Sequence, residues 1–285
     1  MNTRISAICG VLITSICLLP ALVFGQTKRS KSDADISAIG QRNIVRGPNF
    51  YSPEKERELG ARLAQQVDSS SSFVQDLAIT AYVKRVALNV EQNSDKHIPS
   101  TIHLIDSDEV KTFTLPGGHQ YITRGLLLRL ENEGELASVL AHGTAHMALR
   151  SDTSVVTKGD LARTYPKGVI PSAIDVMDLK YLRDAEYDAD YFGVQYLYKS
   201  GYDPQCYLGF VQLERDTKAK APVPEVFSPY PSVPLRLKAL QNEIAKILPK
   251  RDGAIVSTPE FQEFKDHLQA IKSAGATPRN PSKDN

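Results

Sequence analysis

"GELASVLAHGTAHMALR", residues 134–150, is the stretch on which the reading of this chain turns. Its apolar positions Leu136, Val139, Leu140, Met147 and Leu149 predict a helix over residues 133–149. His142 and His146 stand one turn apart in it, so both imidazoles leave one face and can share an ion. Pairs with that spacing also arise by chance. Here the neighbours are apolar, and an imidazole among them needs a partner for its N–H. A catalytic zinc takes three protein ligands and keeps one position open. Downstream, "LRDAEYDADYFG" (182–193) offers Glu186 as the third, with Asp190 one turn further on. A second carboxylate there suits the task of accepting the free N–H of a ligating histidine.

Working outward, the period changes on either side. "TIHLID" (101–106) alternates like a half-buried strand, and "KTFTLPGGHQYIT" (111–123) reads as two short strands around a turn at Pro116, Gly117 and Gly118. Ahead of them, Ser52 and Pro53 open a helix carrying Leu59, Leu63 and Val67. After a serine run at 69–72, a second helix is expected over 73–90. Residues 151–171, with Gly159, Pro166, Gly168 and Pro171, read as irregular. Helices are then expected over 172–200 and 204–218, and a shorter one follows the proline-rich loop 221–234.

The 285 residues carry a net charge of +1 and no tryptophan, which argues against nucleic acid as a partner. Arg4 precedes an uncharged run over 5–24 and the small Gly25, so residues 1–25 read as a secretory signal rather than an anchor. The protein is then exported, periplasmic or envelope-associated. Residues 26–50 read as a polar linker, 51–248 as the main domain, 249–272 as a helical extension and 273–285 as a disordered tail. Without Cys9 and Cys17 of the signal, Cys206 is the one remaining thiol, expected as a buried apolar side chain.

The helix at 134–150 resembles the active-site helix of metallopeptidase family forty-eight, a family of zinc endopeptidases. The likeness continues in "EKERELG" (54–60), "FTLPGGHQYITRGLL" (113–127), "EYDADYFGVQYLYKSGYDP" (186–204) and "FSPYPSVPLRLKAL" (227–240). It covers residues 50–245 in the family's order. The resemblance implies an α+β, mostly helical gluzincin-like domain with a short β-sheet beside the active helix. It implies one Zn2+ per chain held by His142, His146 and Glu186, with Asp190 behind them. It further implies a substrate cleft at Leu115, Pro116, Gly117 and Gly118, and protein or peptide substrates or clients, with association at a membrane surface or envelope complex.

The chain departs from the family in one decisive place. Where the family has His-Glu-x-x-His, this sequence has His142, Gly143, Thr144, Ala145 and His146. The missing glutamate is the general base that takes a proton from the attacking water, worth about 10²–10⁴ in rate. Tyr230 stands where the family usually has histidine, and Lys111 where relatives often have asparagine. Two residues come into question as replacements. His119 reads as a solvent-facing strand residue, and Glu135 lies too far back along the helix. Two functions remain open: an envelope zinc endopeptidase of protein quality control with impaired hydrolysis, or an inactive zinc-binding relative acting as a chaperone or assembly factor. On either, Gly143→Glu is expected to raise hydrolysis.

Overall fold

The chain turns into its first long helix at a cap visible in the sequence. Ser52 accepts the Lys55 amide at 3.3 Å, and Pro53 follows as the first residue of helix α1, Pro53–Ser70. Residues 30–45, 47–164, 172–218 and 231–275 are described by the computed structural model; the expected signal, Tyr230 and residues 276–285 lie outside them. The hydroxyls of Ser69 and Ser70 bond back to the Gln66 carbonyl, competing with the helix where it ends. Helix α2, Leu77–Gln92, starts on Asp76, whose carboxylate accepts two backbone amides.

Three strands follow: β1 (Thr101–Ile105), β2 (Thr112–Leu115) and β3 (His119–Thr123), in the order β1-β3-β2. β1 runs parallel to the central β3, and β2 antiparallel to it as an edge. The turn between β2 and β3 uses Gly117 at φ 78° and Gly118 at φ 100°, conformations that favour glycine. It lies so close to α1 that a Cβ on Gly60 would stand 1.8 Å from the Pro116 carbonyl oxygen. Alternation along β3 then sorts its side chains. Tyr121 donates to Asp68 of α1 at 3.0 Å, whereas Gln120 reaches the opposite side and donates to Val139 at 3.1 Å.

The short helix α3 (Arg124–Arg129) leads into α4, Glu133–Leu149, in which every residue but His146 is buried. A helix covered on all sides is a core element. α2, α6 (Ser172–Lys199) and α7 (Cys206–Lys218) pack around α4, and α8 (Val233–Ile247) packs on α6 and α7. Leu136, Val139 and Leu140 of α4 join Phe192, Tyr196 and Phe210 in one hydrophobic core. Among the described residues, no helix is long and apolar enough to cross a membrane. Cys206 is free and buried, and burial pushes its thiol up to about 12.

Two expectations change, and a third gains detail. Residues 151–164 are not irregular but form helix α5, Ser151–Thr164. Its buried face is made of Ser151, Thr153, Ser154 and Thr157, which a search for apolar spacing does not see. That face is hydrogen-bonded instead: Asn49 donates to Thr153 at 2.9 Å and the Phe50 amide to Thr157 at 3.0 Å. Residues 30–45, expected within a polar linker, are docked on the domain. Buried Arg42 donates to Asp95 at 2.6 and 3.0 Å and to Gln195 at 2.7 Å. Finally, the expected extension contains α9, Pro259–Gly275, which places Phe261, Phe264 and Leu268 in the core. From α9, Lys265 donates to the carbonyls of Leu127, Leu128 and Leu130 at 3.2, 2.6 and 2.7 Å.

Candidate metal centre

The single-turn spacing in α4 brings His142 Nε2 and His146 Nε2 to 3.1 Å from each other. α6 lies across α4 and supplies Glu186, with its oxygens 3.6 Å from His142 Nε2 and 3.5 Å from His146 Nε2. Ligands about 2.0–2.1 Å from a tetrahedral ion are about 3.3–3.4 Å apart, so these three donors have the spacing of a zinc site. Among the described residues they are the group of three or more His, Cys, Asp or Glu side chains whose donor atoms converge in this way.

The contacts of the other nitrogen of His142 fix which atom is left to serve as a metal donor. Its Nδ1 lies 3.0 Å from the Tyr207 hydroxyl and 3.3 Å from Asp190 Oδ1. An Nδ1–H there leaves Nε2 free as a donor. Asp190 is held in turn by Arg236, which donates to it at 2.6 and 2.7 Å and to Glu214 at 2.5 Å. Arg236 also stands 3.8 Å from Glu186 and is 1% exposed, so it neutralises a buried acidic cluster from inside. Tyr207 gains its approach from Gly193, where a Cβ would lie 2.6 Å from the hydroxyl oxygen.

The titration of the site follows from these contacts. Burial works to lower the pKa of His142, but Asp190 and Glu186 outweigh it and raise it to about 9. Burial raises Glu186 and Asp190. For Glu186 the two histidines prevail and hold it well below the usual carboxylate range. For Asp190 the Arg236 guanidinium prevails, and its pKa is lowered.

A cavity of about 810 Å³ opens over the donors. Its wall includes Lys111, Thr112, Phe113 and Thr114 of the edge-strand segment, and Gly143 lies beside the histidines. Asp152 of α5 also lines it; burial pushes this carboxyl up to about 6, and Thr114 Oγ1 donates to it at 3.4 Å.

The sequence-predicted residues therefore separate. His142, His146, Glu186 and Asp190 come together. Leu115, Pro116, Gly117 and Gly118 lie beyond the lining stretch, with the turn packed on α1. His119 sits on the α1 side of the sheet, 3.2 Å from His103, and burial lowers the pKa of both. Glu135 is buried at the start of α4, where it accepts the Glu131 amide at 2.8 Å. Tyr207, Glu214, Arg236 and Asp152 were missed. For Arg236 a signal existed, as the arginine of "VPLR" in the segment 227–240. Tyr207 had none, because its role depends on how α7 crosses α4.

The chain matches peptidase family M48 over residues 75–165 and 167–244, more than half its length. It belongs to peptidase family M48. It is 24% identical over 284 residues to the Escherichia coli (strain K12) beta-barrel assembly-enhancing protease, covering 90% of this chain and 57% of that protein. The Yersinia pestis protein of the same name is 25% identical over 219 residues, covering 69% of this chain and 45% of the relative. Mitochondrial metalloendopeptidase OMA1 of Arabidopsis thaliana is 29% identical over 111 residues, covering 36% of this chain and 23% of its own length. The chain thus spans roughly half the length of the bacterial relatives. M48 enzymes are zinc-dependent metallopeptidases.

Proposed function

We propose that this M48 protein is exported to the cell envelope and binds one zinc through His142, His146 and Glu186. We further propose that it acts on protein or peptide clients in quality control with strongly impaired hydrolysis. The observation that carries the reading is the convergence of those three donors in a cavity where position 143 has no side chain. Support for export comes from residues 1–25 and for an envelope role from the bacterial relatives' names.

Zinc, when bound, supplies a water of lowered pKa and a Lewis acid. The chain's own residues do the rest. Asp190 and Tyr207 orient His142, and Arg236 keeps Asp190 ionised. Strand β2 has no further strand on its outer side among the described residues, and an extended peptide laid beside the metal would pair there. At Gly143 nothing can take a proton from the attacking water or return one to the leaving amine. The loss is about 10²–10⁴ in rate, roughly 3–5 kcal/mol of barrier.

The same observations favour a second reading, a zinc-binding pseudopeptidase that holds unfolded segments in the cleft as a chaperone or assembly factor. Metal analysis and casein hydrolysis separate the possibilities. The purified protein is expected to carry about one zinc, lost in His146→Ala. Casein cleavage near the rate of an intact M48 enzyme would refute the impaired-base reading. A wild type without zinc would refute both readings.

A further inference from the structure

Gly143 is packed against the side chain of Gln120, on the central strand β3. A Cβ at Gly143 would stand 2.3 Å from Gln120 Nε2, 2.4 Å from its Cδ and 2.7 Å from its Oε1. Contacts that short require one group to move, because the carboxamide occupies the volume into which a Cβ at 143 projects. Gln120 is 1% exposed, and its Nε2 donates to the Val139 carbonyl at 3.1 Å. Val139 is the residue four before Gly143, so its carbonyl also receives the Gly143 amide in the helical ladder. The carboxamide is therefore docked on the very turn of α4 from which a general base would reach the metal. Its Oε1 is buried and has no hydrogen-bond partner among the described residues, which makes the glutamine a poor choice for packing alone.

We propose that Gln120 holds the general-base position shut. Residues 120 and 143 form one unit, and a side chain returns to position 143 only when the Gln120 carboxamide leaves. This rests on the reading of 142–146 as the helix of a zinc peptidase. The carboxamide is the end of a flexible side chain and can swing. Doing so takes Nε2 from the Val139 carbonyl, the one hydrogen bond that holds the carboxamide where it is. On this proposal the single change Gly143→Glu sets the new carboxylate against Gln120 and hydrolysis does not return, an outcome opposite to the sequence-based expectation.

Two experiments on the full mature chain test this. In the first, the metal-free protein is melted as wild type, Gly143→Ala, Gln120→Ala and the double variant. With Gln120 in place, Gly143→Ala is expected to lower Tm by roughly 3–8 °C. In the Gln120→Ala background the same change is expected to raise Tm by about 2–4 °C, since alanine is the better helix residue and now has room. Equal shifts in the two backgrounds overturn the proposal. Gln120→Val is a second shortened background suited to a strand. A Gly143→Ala protein that folds only in a shortened background is the same coupling in extreme form. In the second experiment, zinc-loaded Gly143→Glu is compared with Gln120→Ala/Gly143→Glu on casein. The double variant is expected to cleave at least about tenfold faster. Equal, restored cleavage by the single variant overturns the proposal. If neither cleaves while the Tm shifts change sign, the coupling stands and the peptidase reading fails instead.

Discussion

Arg236→Leu is the substitution that most directly probes how the centre is held together. The guanidinium is 1% exposed, donates three hydrogen bonds to Asp190 and Glu214, and lies 3.8 Å from Glu186. Leucine fills much of its volume but takes the guanidinium away from Asp190, Glu186 and Glu214, leaving protonated His142 to face the first two. Breaking a buried ion pair by removing one partner costs about 3–5 kcal/mol, and the second carboxylate contacted puts this case at the upper end. In a domain of this size that corresponds to a fall in Tm of about 10–15 °C at pH 7.5. The pH dependence has a definite sign. Asp190 has its folded pKa depressed below 3.8, so its stabilisation is present above that value and fades as pH falls through the folded pKa. The difference between wild type and Arg236→Leu should therefore shrink at acid pH, as the carboxylates left behind take up protons. Urea denaturation of the metal-free proteins from pH 4 to 8 measures it. A variant as stable as wild type at pH 7.5, or a difference that widens on acidification, would refute the argument.

Metal binding should be linked to protons as well. With His142 raised to about 9 in the metal-free site, zinc displaces a proton at pH 7. Apparent affinity should climb roughly tenfold per pH unit until about pH 9, and calorimetry in buffers of different ionisation enthalpy should detect about one proton released. A flat profile would contradict the assignment. Tyr207→Phe removes one of the two groups at His142 Nδ1 and should weaken zinc binding about 10–100-fold, read by competition with a chelating dye, with the fold unchanged by circular dichroism. Asp152 has its folded pKa raised from 3.8 to about 6, so its ionised form opposes folding above that pH and is neutral to stability below about pH 4. Asp152→Asn should therefore stabilise the metal-free protein at pH 7.5 by about 1–2 kcal/mol, less than the full shift because the side chain is not wholly enclosed, and have no effect at pH 4. Destabilisation at pH 7.5 would count against it.

The cluster of His142, His146, Glu186 and Asp190 was legible because its members obey helical spacing, two on one helix and two on another. The sheet was legible through the alternation at 101–106 and the glycine turn at 117–118. What escaped reading has a common physical character. Helix α5 buries hydroxyls rather than hydrocarbon, so no apolar stripe marks it. Arg42 and Arg236 are buried cations, and a single sequence gives arginine no sign of which carboxylate it will meet. Tyr207 reaches His142 because Gly193 leaves space, a relation between two helices. The most consequential omission was Gln120. It read as one polar residue in an alternating strand, and its importance depends on the glycine opposite, 23 positions later in the chain.

The hold of α9 on the rest of the molecule bears on how the protein can be cut. Lys265 collects three carbonyls at the junction between α3 and α4, and Phe261, Phe264 and Leu268 complete the core beneath them. A fragment ending at residue 248 would keep His142, His146 and Glu186 yet lose the clasp on the start of the helix that carries the two histidines. The C-terminal segment is thus a keystone for the cleft, and a recombinant boundary belongs after residue 275.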